Sequence, residues 1–141
     1  MLQTLVEEPA SMPPETLRDR YVERLAAIVE DVGPAEVTDA TAIDAERLEA
    51  ITNGETEIDL DEAGAIYALT NGAPDGETVV IEARDALLLG MTTAVLDVDT
   101  LEGEIDDRIE ARAIQQKIEG RAPMTLGEFA LLLSTIEAHK R

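Results

Sequence analysis

Gly54-Glu55-Thr56-Glu57-Ile58-Asp59-Leu60-Asp61-Glu62-Ala63 and Gly120-Arg121-Ala122-Pro123-Met124-Thr125-Leu126-Gly127-Glu128-Phe129 follow one pattern, 66 residues apart. In each, a glycine able to close a helix precedes an aliphatic residue, a capping residue, leucine and glutamate. Thr125 and Glu128 have capping-box spacing, and Asp59 and Glu62 have the same spacing with a carboxylate in place of the hydroxyl. Each stretch therefore predicts the end of one helix, a short turn and a capped start of the next. Outward from this core, the same shift aligns Arg18-Asp19 with Arg84-Asp85, Val29 with Val95, and Asp31-Val32 with Asp97-Val98. It also aligns Glu36 with Glu102, Ile43 with Ile109, and Ala45 with Ala111. The chain reads as an internal duplication.

Helical periodicity fills in both copies. Leu17, Tyr21, Leu25, Ile28, Val29 and Val32 recur at helical spacing between Pro13-Pro14 and Gly33. Pro34 opens a short helix carrying Val37. Asp44 caps a third, with Leu48 and Ile51 facing inward, which stops at Asn53-Gly54. A fourth runs from Asp59 towards Asn71-Gly72. After the Ala73-Pro74-Asp75-Gly76 turn, residues 78–96 are apolar on nearly every side, which predicts a helix in the centre of the molecule. Three shorter helices close the chain. The expected fold is all-α: a compact bundle of two tandem helix-turn-helix-like halves around a central apolar helix. Residues 1–13 form an N-terminal extension, 14–72 the first unit, and 77–139 the second, in one globule with the first.

The glycine, capping and leucine–glutamate pattern of each half resembles lambda-repressor-like helix-turn-helix proteins. The whole chain is similar to a family of uncharacterised proteins confined to halophilic archaea. Glu82-Ala83-Arg84-Asp85, residues 91–99 (Met-Thr-Thr-Ala-Val-Leu-Asp-Val-Asp) and residues 114–126 (Ile-Gln-Gln-Lys-Ile-Glu-Gly-Arg-Ala-Pro-Met-Thr-Leu) carry that resemblance. No activity comes with it.

Composition agrees with a folded, acidic protein. Thirty-one acidic residues against eleven basic ones give a net charge of −20, yet 45% of the chain is hydrophobic, more than a disordered acidic tail carries. A dense carboxylate surface is suited to molar salt, where the Debye length is about 3 Å and self-repulsion is screened. Only Lys117 and Lys140 are lysines, and only Tyr21, Tyr67 and Phe129 are aromatic, which points the same way. The absence of cysteine excludes disulfides and fits an intracellular protein. With no basic apolar leader and no long apolar run, the expectation is a soluble, cytoplasmic protein without membrane association.

A helix-turn-helix reads DNA only if its outward face can meet phosphates and base edges. The first unit would present Glu46, Glu49 and Asn53, and the two carboxylates would repel a duplex. In the second, inward Ile114 and Ile118 turn Arg112 and Gln116 outward, beside Gln115 and Lys117, with Arg108 and Arg121 near the ends. Glu119 shares that face. Residues 108–141 hold six basic residues and four acidic ones, a net of +2 on a chain whose remainder carries −22. The sequence-based expectation is a DNA-associated regulator whose candidate contacts are Arg108, Arg112, Gln115, Gln116, Lys117 and Arg121. The alternative is a non-enzymatic helical protein–protein interaction module, with another protein as partner.

Catalytic and metal chemistry finds no support in the sequence. His139 lies near the C-terminus, where fraying is expected. A calcium loop starting at Asp97 fails at its third ligand and ends on Arg108. One starting at Glu57 ends on Ala68. No phosphate-binding glycine loop ending in Gly-Lys-Ser/Thr occurs. Neither an enzyme nor a cofactor is expected.

If the acidic surface is an adaptation to salt, the melting temperature should be higher in molar KCl than in dilute buffer. A melting temperature indifferent to KCl, measured by circular dichroism, contradicts that reading.

Overall fold

The computed structural model describes residues 1–140. Among them are eight α-helices and no strand: α1 (Pro14–Val32), α2 (Pro34–Ala40), α3 (Ala45–Thr52), α4 (Leu60–Tyr67), α5 (Gly76–Ala94), α6 (Val98–Glu104), α7 (Ala111–Ile118) and α8 (Leu126–Ala138). The fold is all-α, as the periodicity predicts. Asp44 and Thr125 accept the backbone amide three residues on, at 2.8 and 3.0 Å, as the sequence predicts, and Asp75 and Asp97 cap α5 and α6 in the same way at 2.8 Å.

The duplication is visible in the element boundaries. α7 begins and ends 66 residues after α3, and α8 begins 66 residues after α4. Gly54 (φ 71°) and Gly120 (φ 79°) adopt the left-handed conformation that closes the preceding helix. Behind them, the Glu55 amide donates to the Ala50 carbonyl at 3.0 Å and the Arg121 amide to the Gln116 carbonyl at 2.8 Å. Arg18 and Arg84, the repeated arginines of α1 and α5, do matching work. Arg18 donates to the Thr56 carbonyl at 3.0 Å, and Arg84 to the Lys117 carbonyl at 2.9 Å, so each ties a long helix to the turn region of its own unit.

The halves interlock. α1 packs on α8 and α5 on α4, so the long helix of each unit lies against the last helix of the other. The loops before α4 and α8 meet in an antiparallel bridge between Asp59 and Thr125. Leu60 donates its amide to the Met124 carbonyl at 2.8 Å, and Leu126 donates to the Ile58 carbonyl at 2.6 Å. The two bonds are related by the repeat itself, which defines a pseudo-two-fold axis through the bridge.

The sequence places residues 78–96 at the centre, but α8 holds that position. Leu126, Phe129, Ala130, Leu131, Leu132, Leu133, Ser134 and Ile136 are all buried on α8. α5 instead buries one side, with Val79, Val80, Ala83, Leu87, Gly90 and Met91, and leaves Ile81, Leu88 and Leu89 exposed. α8 is the more uniformly apolar of the two: Glu128 and Glu137 are its charged residues, whereas α5 carries Glu77, Glu82, Arg84 and Asp85. α4 also stops at Tyr67, short of Asn71-Gly72, because the following residues turn through bonds to the Ile66 and Tyr67 carbonyls. The N-terminal segment is attached: Leu2 is buried, and Tyr21, whose ring meets Phe129 edge-on at 6.0 Å, donates its hydroxyl to the Gln3 carbonyl at 3.1 Å. Burial pushes the Tyr21 phenol pKa up.

α4 and α5 approach closely at Gly64. A Cβ there would sit 2.5 Å from Val80 Cγ2 and 3.1 Å from the Gly76 carbonyl oxygen. Gly64→Ala should therefore destabilise by about 1–3 kcal/mol through overpacking, despite alanine's better helix propensity. Urea unfolding checks this; an unchanged midpoint would mean that the two helices separate freely.

Candidate functional site

The predicted DNA face lies on α7, which Ile114 and Ile118 anchor in the core. Arg112 and Gln115 are exposed and Gln116 is half-buried. Arg112 makes no ion pair among the described residues. The other three cations are engaged. Arg108 lies 3.6 Å from Glu15 of α1, both side chains open to solvent. Arg121 pairs with Glu119. Lys117 is turned inward, only 17% exposed, with its ammonium on Glu128 and the Pro123 carbonyl. Asp106, Asp107, Glu110 and Glu119 are exposed around the same helix. The six residues thus share one neighbourhood, but only Arg112 and the glutamines offer free polar groups to a ligand. Arg108 also lines a cleft of about 710 Å³ together with Glu15, Arg18, Asp19, Glu55 and Glu128. Charges of both signs line this cleft.

His139 is not frayed. Nδ1 lies 2.8 Å from the Thr135 carbonyl and Nε2 lies 3.1 Å from the Glu104 carboxylate, joining α8 to α6.

The most highly organised polar groups are in the paired loops. In the first, Glu62 Oε1 accepts the Asp59 amide at 3.0 Å and Arg47 Nη2 at 2.7 Å, while Oε2 accepts Arg47 Nε at 2.8 Å. Arg47 also donates to Thr56 Oγ1 at 2.8 Å and to the Glu57 carbonyl at 2.6 Å. In the second, Glu128 Oε1 accepts the Thr125 amide at 2.9 Å, and Lys117 Nζ lies 3.1 Å from both Glu128 oxygens and 3.0 Å from the Pro123 carbonyl. The hydrogen bond from Arg47, aided by the Asp59 amide, holds the Glu62 carboxyl below its ordinary value of 4.5 against the opposing effect of desolvation. Sequence reasoning identified the capping glutamates but not their cations, because Arg47 and Lys117 do not occupy equivalent positions of the repeat.

A third feature is the outward face of α5. Ile81 is 50% exposed, Leu88 55% and Leu89 67%, and Val95, just past the helix end, is 87% exposed. Val95 holds φ 57°, ψ 50°, taking the left-handed position that Gly54 and Gly120 occupy elsewhere. The Leu96 amide donates to the Met91 carbonyl at 2.9 Å behind it. A β-branched residue in that conformation is strained.

No group of histidine, cysteine or carboxylate side chains suited to a metal occurs among the described residues. No helix among them is long and apolar enough to cross a membrane. Two interlocked helical units joined at paired loops define the class of protein. The chain belongs to a family of unknown function, DUF5791, whose model matches residues 17–139. No curated protein and no solved structure matches it.

Because the Glu62 pKa is lowered on folding, its pairing stabilises fully above the ordinary value of 4.5 and loses that contribution as pH falls through the folded value. Glu62→Gln should therefore cost about 1–2 kcal/mol near neutral pH, allowing for partial exposure of the pair. The gap to the parent protein should narrow below pH 4.5. Denaturant midpoints across the acid range measure it, and a gap constant with pH would exclude the ion pair as its source.

Proposed function

We propose that the protein is a non-enzymatic helical interaction module that receives a basic amphipathic helix on the outward face of α5. The observation that carries this reading is the exposure of Ile81, Leu88 and Leu89 on α5, and of Val95 just past its end, on an otherwise acidic protein. Grouped aliphatic side chains left in water favour a partner that covers them. Glu77 and Asp85 are exposed on the same face, while Arg84, the one cation of α5, is directed to the Lys117 carbonyl. The face is therefore apolar with negative charge, complementary to apolar and basic side chains at helical spacing. A second copy would bring the same carboxylates and oppose itself. Val95 supports the reading independently. Its backbone costs roughly 1–2 kcal/mol relative to glycine, and its exposed side chain returns little burial within the chain.

Contact of α7 with DNA is the second reading, favoured by the exposure of Arg112 and Gln115. Arginine and glutamine can both serve base edges. It ranks lower because three of the four cations are already paired with carboxylates of this chain.

Titration of the full chain with a labelled leucine–lysine amphipathic peptide and, separately, with labelled duplex DNA distinguishes these readings. The peptide should bind, and Leu88→Asp should weaken it at least ~10-fold while leaving the melting temperature unchanged, since truncating an apolar contact at an interface centre commonly costs more than 1 kcal/mol. Val95→Gly should raise stability by about 1 kcal/mol and also weaken the peptide. Absence of peptide binding, or peptide binding indifferent to Leu88→Asp, rejects the α5 reading. Duplex binding lost in Arg112→Ala transfers the function to α7, and a dimer abolished by Leu88→Asp identifies a second copy as the occupant.

A further inference from the structure

A helix–loop–helix calcium site of the twelve-residue type holds its ion with a backbone carbonyl at position 7 and both oxygens of a glutamate at position 12. Counting back from Glu62 and Glu128 as position 12 places the Glu57 and Pro123 carbonyls at position 7. In this register the first loop spans 51–62 and the second 117–128, a frame different from the loops starting at Glu57 and Asp97. Both carbonyls and both glutamates point at a positive charge. In the first loop it is the Arg47 guanidinium, 2.6 Å from the Glu57 carbonyl and on both Glu62 oxygens. In the second it is the Lys117 ammonium, 3.0 Å from the Pro123 carbonyl and 3.1 Å from both Glu128 oxygens.

The two cations reach this place from different positions. Lys117 aligns with Ile51 in the repeat, one turn beyond Arg47, so descent from one ion pair does not explain the coincidence. A surface pair formed only to neutralise a capping glutamate also has no need of the position-7 carbonyl. The loops face each other through the Asp59–Thr125 bridge, so the two charges are arranged about the pseudo-two-fold axis. The loops depart from a metal loop at positions 1 and 6 and, in the second copy, at position 5, which is Arg121. Ile51 and Lys117 stand at position 1, where a metal loop has a ligand, and Gly54 and Gly120 fall at position 4 rather than 6.

We propose that these are paired divalent-cation loops whose ions are replaced by side-chain cations, Arg47 in one and Lys117 in the other. The scaffold is held in its filled form without metal, and a carboxylate in place of Lys117 opens the second loop to calcium. Lys117→Asp removes the internal charge and supplies a carboxylate at position 1, on the side of the Pro123 carbonyl and Glu128 that Lys117 faces.

The test is thermal melting of the full-length protein, Lys117→Asp, Lys117→Met and Lys117→Arg, in EDTA, CaCl2 and MgCl2 at matched ionic strength. The parent protein should show no calcium-specific shift. Lys117→Asp should melt lower in EDTA and regain about 5 °C when calcium exceeds its Kd roughly tenfold, with magnesium less effective. Lys117→Met should melt lower without recovery, and Lys117→Arg should stay near the parent value. A calcium-specific rise in the parent protein, or a folded Lys117→Asp that ignores calcium, overturns the proposal. Should Lys117→Asp not fold in any of these salts, the comparison of Lys117→Arg with Lys117→Met decides, and equal melting of the two overturns it. None of these readouts involves the α5 face.

Discussion

The structure depends on a short stretch of backbone pairing. Leu60 and Leu126 donate amides across the axis to the Met124 and Ile58 carbonyls, which joins the two copies where each begins its last helix. These groups lie among buried side chains, where an unpaired amide or carbonyl is costly. Ile58, Leu60, Met124 and Leu126 are all buried around the bridge. Each loop thus completes the other, and the glutamates that cap α4 and α8 are held beside it by cations from their own unit. The interlocked contacts of α1 with α8 and α5 with α4 follow from this junction.

A consistent division of charge runs through the molecule. Where a carboxylate must be held inside a turn, an arginine or lysine of the chain is committed to it, as Arg47 is to Glu62 and Lys117 to Glu128. Arg18 and Arg84 are likewise used on backbone carbonyls. With only eleven basic residues, such commitments leave few cations free on the surface. The exposed aliphatic residues of α5 stand against this coat, and Val95 adds backbone strain at the edge of that face.

Much of the fold could be read from periodicity and caps. α3 and α8 begin where Asp44 and Thr125 place them, since capping is local chemistry between neighbours in sequence. The repeat was legible because Gly54 and Gly120 need left-handed backbone and leave a fixed mark. The sequence did carry a signal for which apolar helix lies in the middle: residues 126–138 hold two charged side chains, Glu128 and Glu137, where residues 76–94 hold Glu77, Glu82, Arg84 and Asp85. The longer apolar run outweighed it. The orientation of Lys117 was hidden because a face assigned from Ile114 and Ile118 fixes only the side of the helix, while a long side chain can fold back to a carboxylate eleven residues ahead.

The pseudo-two-fold bridge is an isologous contact made within a single chain. An isologous contact, in which residue i of one copy meets residue j of the other and the reverse, is what a symmetric homodimer forms at its axis. Here both partners lie on one polypeptide, linked through the Ala73–Gly76 turn. One chain thus makes within itself the contact that a homodimer makes between two, and its two copies hold equivalent glutamates with different cations, arginine in one and lysine in the other.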